Sequence, residues 1–423
     1  MGVVSDLLKD VKIPKMAKVR QIFPRKKIEN LPEYLRDELL KQQIKNTIKP
    51  GMKIAITGGS RGITSIALIL KQVADFVKEQ GAHPFIIPAM GSHGGATAEG
   101  QVEVLESLGI TEEFCGCPIK ATMETNQIGV TAQEQLPVFI DKYAAQADGI
   151  ILVNRVKPHP AFRGPYESGL MKMMTIGLGK QKGAETCHDI GIRHLARLIP
   201  LFGNAILANA NILFGIALLE NPFEETCGIV ALTKAEIPVK EPALLLEAKA
   251  LMPRILFDDI DVLVVDKIGK NYSGDGMDPN ITGRFPTDCA SGGINAQRVA
   301  ILDLSDETHG NANGLGMSDM VTRRLFDKMD LEKVYPNSLT SRIVCNIKIP
   351  MILSSDKETI QAAILTCTET DKNAPTIVRI PNSLNIEYIL ISEALYGKAK
   401  AMTDIEIIEE PKELLFDESG NLW

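Results

Sequence analysis

The chain has 423 residues, more than the roughly 250 to 300 at which a single hydrophobic core stops growing, so we expect two domains. Hydrophobic residues make up 45% and charged residues 23%, the balance of a globular protein and not of a disordered or fibrous one. The formal net charge is -7 and the basic residues are dispersed, which argues against binding to nucleic acid.

The start of the chain and its apolar segments give no sign of export or membrane insertion. The opening stretch MGVVSDLLKDVKIPK contains acidic residues and lacks the apolar core of a signal peptide, and no later segment offers about 18 uncharged apolar residues. The cysteines number seven and lack C-x-x-C spacing, as expected for free thiols in a reducing compartment. We therefore expect a cytoplasmic protein without a membrane partner.

The first recognisable unit is a strand, a helix and a second strand. The β-rich run at 53–57 leads into the glycine-rich turn GGSRG, after which apolar residues recur with helical spacing as far as Val77. A second strand is predicted at 84–88, and it leads into the polar loop GSHGG at 91–95. Loops that follow the strands of such units commonly carry the chemistry of α/β proteins.

A third strand, GIILVN at 149–154, leads into a segment rich in turn residues, which we interpret as a functional loop. A helix is predicted near 241–251. A domain boundary is expected at 253–258, because a new buried strand starts at 261–266. Another glycine-rich polar loop then extends through Arg284.

The rest of the chain is predicted to contain a strand at 298–304 and helices near 318–329 and 356–367. The expected fold class is therefore α/β, with an N-terminal domain over 1–255 and a C-terminal domain over 256–423. We expect the two α/β domains to face each other, with the active site in the cleft between them.

The segment TGGSRGI is a glycine-rich turn between a strand and a helix, where backbone N–H groups can hold a phosphate. The candidate cofactor-binding residues are Thr57, Gly58, Gly59, Ser60 and Arg61. A plain tight turn is the alternative. The segment also looks like the start of a short-chain dehydrogenase fingerprint, but Thr64 replaces the expected third glycine, and the Tyr-x-x-x-Lys pair, Tyr396 and Lys400, lies far downstream.

Six histidines are present, and three lie in or directly after loops punctuated by glycine or proline: His93, His159 and His188. Histidine changes charge near neutral pH and is a common metal ligand, so these three are candidates for catalysis or metal binding. The other three, His83, His194 and His309, lack comparable surroundings, and we assign them no function.

Taken together, these segments resemble the nickel-pincer lactate racemase family, which includes sugar-acid epimerases. In that family an arginine in a turn after an early strand is followed by a histidine in a Gly-x-His loop, a Pro-His motif, a lysine and a further histidine. This chain has the same order in Arg61, His93, Pro158-His159, Lys172 and His188, and the resemblance covers most of the chain.

The resemblance implies which residues hold the cofactor. Lys172 corresponds to the lysine that can hold the nickel-pincer nucleotide covalently, although Lys180 and Lys182 are near enough in sequence for any of the three simply to contact a phosphate. His188 corresponds to the protein ligand of nickel, for which a neutral imidazole is well suited.

The resemblance also implies the reaction, which is inversion of C2 in a 2-hydroxy acid by hydride transfer. The hydrogen on C2 is very weakly acidic, so removing it as hydride avoids a carbanion, and the cofactor supplies the electron sink. A base must take the hydroxyl proton, and His93 and His159 are the candidates for the two stereoisomers. Arg61 would hold the substrate carboxylate or a cofactor phosphate.

The loop between His159 and Lys172 departs from the Gly-Phe-Ser-Gly-Gly segment of lactate-type members. It is longer, and it adds the polar residues Arg163, Tyr166 and Glu167. Extra polar groups near a substrate suit a larger, hydroxylated acid, so we expect an aldonate or a similar acid in preference to lactate. An exposed loop without such a role is the alternative.

The segment at 269–284 falls where the family places a loop that closes over the substrate. Lys270 and Arg284 are the candidates there for binding the substrate carboxylate, since either cation can form an ion pair with it and arginine can form a bidentate one. Two other functions stay open, an NAD(P)-dependent dehydrogenase and a non-catalytic cofactor-binding protein. The resemblance makes cofactor-synthesis enzymes the source of the nucleotide, and it leaves open whether the chain forms a homo-oligomer.

Overall fold

The structure, a computed structural model, describes residues 2–60 and 62–422. The chain divides into a first unit, Pro24–Met252, and a second unit that combines residues 2–23 with residues 253–422. The strands are β1 (Met16–Gln21), β2 (Lys53–Gly58), β3 (His83–Pro88), β4 (Thr125–Val130), β5 (Pro137–Asp141), β6 (Gly149–Arg155), β7 (Ile212–Glu220), β8 (Thr226–Thr233), β9 (Asp259–Ile268), β10 (Asn295–Leu304), β11 (Met320–Thr322), β12 (Met351–Leu353), β13 (Ile377–Ile380), β14 (Tyr388–Ser392) and β15 (Ile405–Lys412).

The α-helices are α1 (Val3–Leu8), α2 (Leu31–Leu40), α3 (Gln42–Lys45), α4 (Ile66–Glu79), α5 (Ala98–Ser107), α6 (Glu112–Cys115), α7 (Lys142–Ala145), α8 (Leu170–Lys172), α9 (Lys180–Ile190), α10 (Leu195–Asn209), α11 (Ile237–Leu251), α12 (Pro279–Thr282), α13 (Arg323–Asp327), α14 (Leu331–Ser341), α15 (Asp356–Thr366) and α16 (Glu393–Ala401). Within the described ranges, no helix combines the length and the apolar character that a membrane crossing requires.

The first unit is built on a five-stranded sheet in the order β3-β2-β6-β7-β8. Strands β3, β2, β6 and β7 are parallel, and β8 pairs antiparallel with β7. The apolar runs of β2, β3 and β6 lie where the sequence predicts strands, and they are buried as in sheets covered on both faces. Helix α4 contributes to that cover through Ile69, Leu70, Val73 and Val77, which recur with helical spacing.

The strand order makes the carboxyl ends of β2 and β6 a natural place for a ligand. Along the chain β2 is followed by β3 on one side, whereas β6 pairs with the other side of β2, so the order reverses there. In open α/β sheets ligands bind in the crevice outside the carboxyl ends at such a switch point. Because β2, β3 and β6 are parallel, the loops that follow them all leave this same edge of the sheet.

The second unit is built on an eight-stranded sheet in the order β12-β11-β10-β9-β13-β14-β1-β15. The first five of these strands are parallel, whereas β14, β1 and β15 pair antiparallel. Together the two units confirm the predicted α/β class.

The N-terminal strand belongs to this second sheet. The sequence predicts one domain over residues 1–255, but β1 pairs with both β14 and β15, so residues 2–23 fold with the C-terminal part of the chain. Such pairing between distant segments leaves no local signal in the sequence.

The helix predicted near 318–329 is largely replaced by other structure. Residues Met320–Thr322 form β11, which is buried and pairs with β10 and β12, and only Arg323–Asp327 are helical. The sheet hydrogen bonds and burial available to these three residues outweigh their local preference.

Candidate active site

Thr57 and Gly58 belong to β2 and fasten it to the strands on either side. The Thr57 side chain is buried, and its Oγ1 accepts a hydrogen bond from the N–H of Val153 in β6 at 2.9 Å. The Gly58 carbonyl accepts the N–H of Ala89, just after β3, at 2.8 Å. These two predicted cofactor-binding residues therefore hold together the carboxyl ends of β2, β3 and β6. The half-buried Gly59 is the first residue of the turn after β2.

The turn after β2 meets the loop after β3 through a side-chain hydrogen bond. The Oγ of Ser60 is hydrogen-bonded to Nδ1 of His93, whose imidazole is exposed. A hydrogen bond of this kind orients a histidine ring, as a catalytic base requires. Arg61, the candidate for binding a carboxylate or a phosphate, lies outside the described residues.

The segment that carries Lys172 packs against both of these loops. Helix α8 continues into a π-helical turn, Met173–Gly177, a form often found at functional sites. The Gly91 N–H, in the loop of His93, donates to the Gly177 carbonyl at 3.2 Å. In the turn after β2, a Cβ added to Gly59 would lie 3.5 Å from Cε of Met173. The half-buried Lys172 thus stands on an element in contact with two of the three loops.

Glu241 from α11 caps the first turn of the helix that carries Lys172. Its Oε2 accepts the N–H of Met171 at 3.0 Å, and its carboxyl group is almost fully buried. Burial raises the pKa of Glu241 to about 7, although bonds from the N–H groups of Met171 and Leu170 act in the opposite direction. A Cβ on Gly169 would come within 2.2 Å of the Glu241 carboxyl oxygen, so the approach requires glycine.

Glu167 organises the loop that carries His159. It is fully buried, and its two carboxyl oxygens accept the His159 N–H at 2.7 Å and the Lys249 ammonium at 2.6 Å. The His159 ring lies against Phe162 with centroids 4.4 Å apart, and its Nδ1 accepts the N–H of Ala161 at 3.1 Å. The backbone and the ring of His159 are therefore both held in place.

The polar residues that lengthen this loop make contacts within the first unit. Arg163 donates from Nη1 to the His159 carbonyl at 2.5 Å and lies 3.3 Å from Oε2 of Glu167. The Tyr166 hydroxyl donates to the Pro238 carbonyl at 2.5 Å, and burial raises its pKa. To bind a substrate, Arg163 or Tyr166 would have to add to these contacts or exchange them.

The structure distinguishes the three neighbouring lysines. Lys180 is fully buried, and its ammonium donates to the Pro88 carbonyl and to Oε1 of Gln101, each at 2.7 Å. It is therefore inaccessible to a phosphate. Lys182 is exposed and lies over the ring of Phe139, 4.1 Å from its centroid.

His188 lies half-buried in the last turn of α9. One turn earlier this helix packs on the loop of His93, where a Cβ on Gly91 would lie 3.8 Å from the Cβ of Ala184. Burial raises the pKa of the adjacent Cys187 to about 12, so this thiol stays protonated at neutral pH and is a poor metal ligand. Among residues 2–60 and 62–422, no group of three or more His, Cys, Asp or Glu side chains could hold a metal ion.

Glu220, at the end of β7, is a charged residue that the sequence analysis did not single out. Its carboxylate forms an ion pair with Arg155 at the end of β6 and accepts the N–H of Thr64 at 3.2 Å. One backbone donor just before α4, where the sequence suggested a phosphate, is therefore engaged by a carboxylate. No motif marks Glu220, because its role depends on the pairing of β6 with β7.

The two remaining candidates lie in the second unit. The Nζ of Lys270 is hydrogen-bonded to Oδ1 of Asn337, and its backbone N–H donates to Thr308. The Arg284 guanidinium donates to Asp319 at 2.8 Å and to two backbone carbonyls. Arg284 thus has a structural ion pair that binding of a carboxylate would disrupt.

Comparison with known proteins agrees with the α/β fold. The family model described as "Domain of unknown function (DUF362)" matches residues 47–233, which include β2, β3, β6 and the loops that follow them. No curated protein sequence matches the chain.

Solved structures that are similar to the chain include a lactate racemase apoprotein and a structural-genomics protein. The lactate racemase apoprotein from Thermoanaerobacterium thermosaccharolyticum aligns with a TM-score of 0.55 and 14% identity, over 88% of this chain and 99% of that one. A structural-genomics crystal structure of a Thermotoga maritima protein aligns with a TM-score of 0.49 and 14% identity, over 66% of this chain and 72% of that one. The first of these comparisons shows a lactate racemase-like fold over most of the chain.

Proposed function

We propose that this protein is a racemase or epimerase that inverts C2 of a 2-hydroxy acid by hydride transfer. The observation that carries the proposal is the hydrogen bond between Ser60 and His93, which joins a glycine-rich turn to a candidate base at the switch point of the first sheet. The lactate racemase-like fold supports it.

The chemistry of the substrate explains why a cofactor is needed. The carboxylate beside C2 resists further negative charge, so a side-chain base cannot readily take the C2 hydrogen as a proton. A nickel-pincer nucleotide, when bound, supplies an acceptor that takes this hydrogen as hydride and returns it. The protein contributes the groups that hold the cofactor, orient the acid and carry the hydroxyl proton.

The residues present fit such a group chemically. Lys172 offers an amine on an element that touches the glycine-rich turn, and His188 offers an imidazole, a suitable nickel ligand. We assign nucleotide binding to Lys172 with Gly59 and Ser60, and the single protein bond to nickel to His188. Arg61 is proposed to bind the carboxylate or a cofactor phosphate.

Two bases are proposed because the two stereoisomers present their hydroxyl groups in different directions. His93 serves one stereoisomer, and His159 serves the other. His159 gives up the bond from the Ala161 N–H when it takes the proton, because an imidazolium has no acceptor nitrogen. Glu167 still holds the backbone of His159 in that state.

We propose a substrate larger than lactate, such as an aldonate, with Arg163, Tyr166, Lys270 and Arg284 as the candidate contacts. Among the four, Arg163 has the strongest support, because its guanidinium already contacts the His159 carbonyl. Arg163 and Arg284 each already have a carboxylate partner, Glu167 and Asp319 respectively, which a bound substrate would have to share or displace.

A substrate deuterated at C2 tests the reaction type. Hydride held by a cofactor does not exchange readily with water, whereas a proton held by histidine does, so the inverted product should keep its deuterium in ordinary water. The assay uses cofactor-loaded protein with mass analysis of the separated stereoisomers. Extensive loss of deuterium would exclude hydride transfer, and release of keto acid that requires added NAD(P) would favour a dehydrogenase.

A further inference from the structure

A buried polar pair lies directly beneath the loop that carries His93. Gln101, in α5, and Lys180, at the start of α9, both have no exposed surface. Lys180 donates from Nζ to Oε1 of Gln101, and Gln101 donates from Nε2 to the carbonyls of Gly91 and His93 at 2.9 and 3.1 Å. The pair thus links α9 to the backbone of the candidate base.

The ammonium of Lys180 fixes which way the Gln101 amide faces. An amide side chain has one accepting and one donating end, and a lysine ammonium can only donate. Lys180 therefore holds the oxygen of Gln101, and the amino end must face the two loop carbonyls. The two loop carbonyls can only accept, so they require the same orientation of the amide.

Lys180 itself lies beside a buried carboxylate and has an unfavourable backbone conformation. Its ammonium lies 3.3 Å from Oδ2 of Asp141, also fully buried, while Oδ1 of Asp141 caps α7 by accepting two backbone N–H groups. The backbone of Lys180 has a φ of 55°, a left-handed conformation uncommon for residues other than glycine. Strain of this kind persists where the surroundings enforce it, and it is frequent at functional sites.

A close backbone contact fixes the same loop to α5. Gly94, with a φ of 67°, approaches α5 so closely that an added Cβ would lie 2.6 Å from the carbonyl group of Gly100. Gly95 has nearly the same φ, 65°, but nothing lies within 4 Å of an added Cβ. An alanine at Gly94 would therefore disturb both the packing and the backbone, whereas an alanine at Gly95 would strain the backbone alone.

We propose that Gln101, oriented by Lys180, is a positioning residue for His93 and so supports selectively the half-reaction in which one stereoisomer is oxidised. The inference rests on the proposed function, because it assigns His93 and His159 to opposite stereoisomers. Gln101 holds the backbone of the His93 loop, whereas Glu167 holds that of His159. The two bases thus have separate supports, and loss of one support should affect one half-reaction.

Gln101→Glu is the sharpest test, because it keeps the size and the bond from Lys180 but replaces both donors to the loop by an acceptor. Gln101→Met, which removes the polar group, is the second variant, and Gln43→Glu, at an exposed position in α3, is the control. In single-turnover oxidation by loaded enzyme, we expect the stereoisomer that depends on His93 to slow by roughly tenfold to a hundredfold, since small misplacements of a catalytic group have effects of that size. The oxidation rate of the other stereoisomer should change by less than about twofold. His93→Ala should show the same selectivity between the two stereoisomers.

A measurement on the protein without cofactor provides an independent readout. Hydrogen exchange of peptides over residues 91–97 should be at least roughly tenfold faster in both Gln101 variants than in the control. Gly94→Ala should have the same effect, and Gly95→Ala, with equal backbone strain, should not.

The outcomes separate the inference from the proposed function. If the Gln101 variants oxidised both stereoisomers equally slowly, the positioning role of Gln101 would be overturned. Unchanged hydrogen exchange at residues 91–97 in these variants would overturn it too. Failure of the loaded wild-type protein to invert any 2-hydroxy acid would instead contradict the proposed function, whatever the exchange data.

Discussion

Replacing Glu241 by glutamine should change how the stability of the first unit depends on pH. Glu241 is buried beneath Gly169 and caps the helix that carries Lys172. Glutamine has nearly the same shape, and its amide oxygen can accept the same N–H of Met171. It has no proton to lose, so the variant isolates the effect of ionisation.

The magnitude follows from the pKa of Glu241, which burial raises from 4.5 to about 7. In the unfolded chain the carboxyl group loses its proton near the lower value, whereas the folded protein keeps the proton until the higher one. The stabilisation from this group is therefore fully present below 4.5 and is lost as the pH rises through about 7. At about 1.4 kcal/mol per pH unit, the loss amounts to roughly 3 kcal/mol.

We therefore expect Glu241→Gln to gain roughly 2 to 3 kcal/mol in free energy of unfolding over wild type between about pH 5 and about pH 8. Urea unfolding followed by pulsed hydrogen exchange and mass spectrometry measures this for peptides of Pro24–Met252 separately from the rest of the chain.

Glu236→Gln, at the start of the same helix, is the matched control. Its bond to Lys240 lowers the pKa of Glu236 to about 2, so its contribution is present above 4.5, is lost only as the pH falls through about 2, and does not change between about pH 5 and about pH 8. If the difference between Glu241→Gln and wild type stayed constant over that range, the assignment of a raised pKa to Glu241 would be refuted.

Three further predictions concern the cofactor and the substrate. In cofactor-loaded protein, His188→Ala should lose its nickel while the far-ultraviolet circular dichroism stays unchanged, and the exposed His194→Ala should keep the metal; stoichiometric nickel in the first variant, by metal analysis, would exclude His188 as the ligand. Intact mass should show a nucleotide adduct that disappears in Lys172→Ala but persists in Lys182→Ala, and fully active wild-type enzyme of unmodified mass would mean that the nucleotide is not held covalently. Across a panel of 2-hydroxy acids, kcat/KM should be higher for an aldonate than for lactate, and the reverse order would refute the argument from the polar loop.

The sequence predicted the secondary structure around the candidate site because that structure depends on local patterns. Alternating and continuous apolar runs predicted β2, β3 and β6, and helical spacing predicted α4. Glycine and proline marked the loops that follow the strands, and in parallel sheets such loops share one edge. The sequence therefore predicted that His93 and His159 follow strands, and the parallel pairing of β3, β2 and β6 brings the loops that carry them to one edge.

The groups that support these residues could not be predicted from the sequence. Gln101 and Lys180 are 79 positions apart, and Met171 and Glu241 are 70 positions apart, so no local pattern relates the partners. A lysine, a glutamine and a glutamate in helices are ordinarily solvent-exposed, and nothing in their sequence neighbourhoods indicates complete burial.

What the sequence determined by itself was the α/β class, the strands that lead into the candidate loops and the order of the candidate residues along the chain, because periodicity and turn composition are local properties. The tertiary structure decided which charges are buried, which loops Gln101, Glu167 and Glu241 hold, and that β1 joins the second sheet. Burying a charged or polar group is favourable only when partners from distant segments satisfy it, so its placement depends on the complete fold.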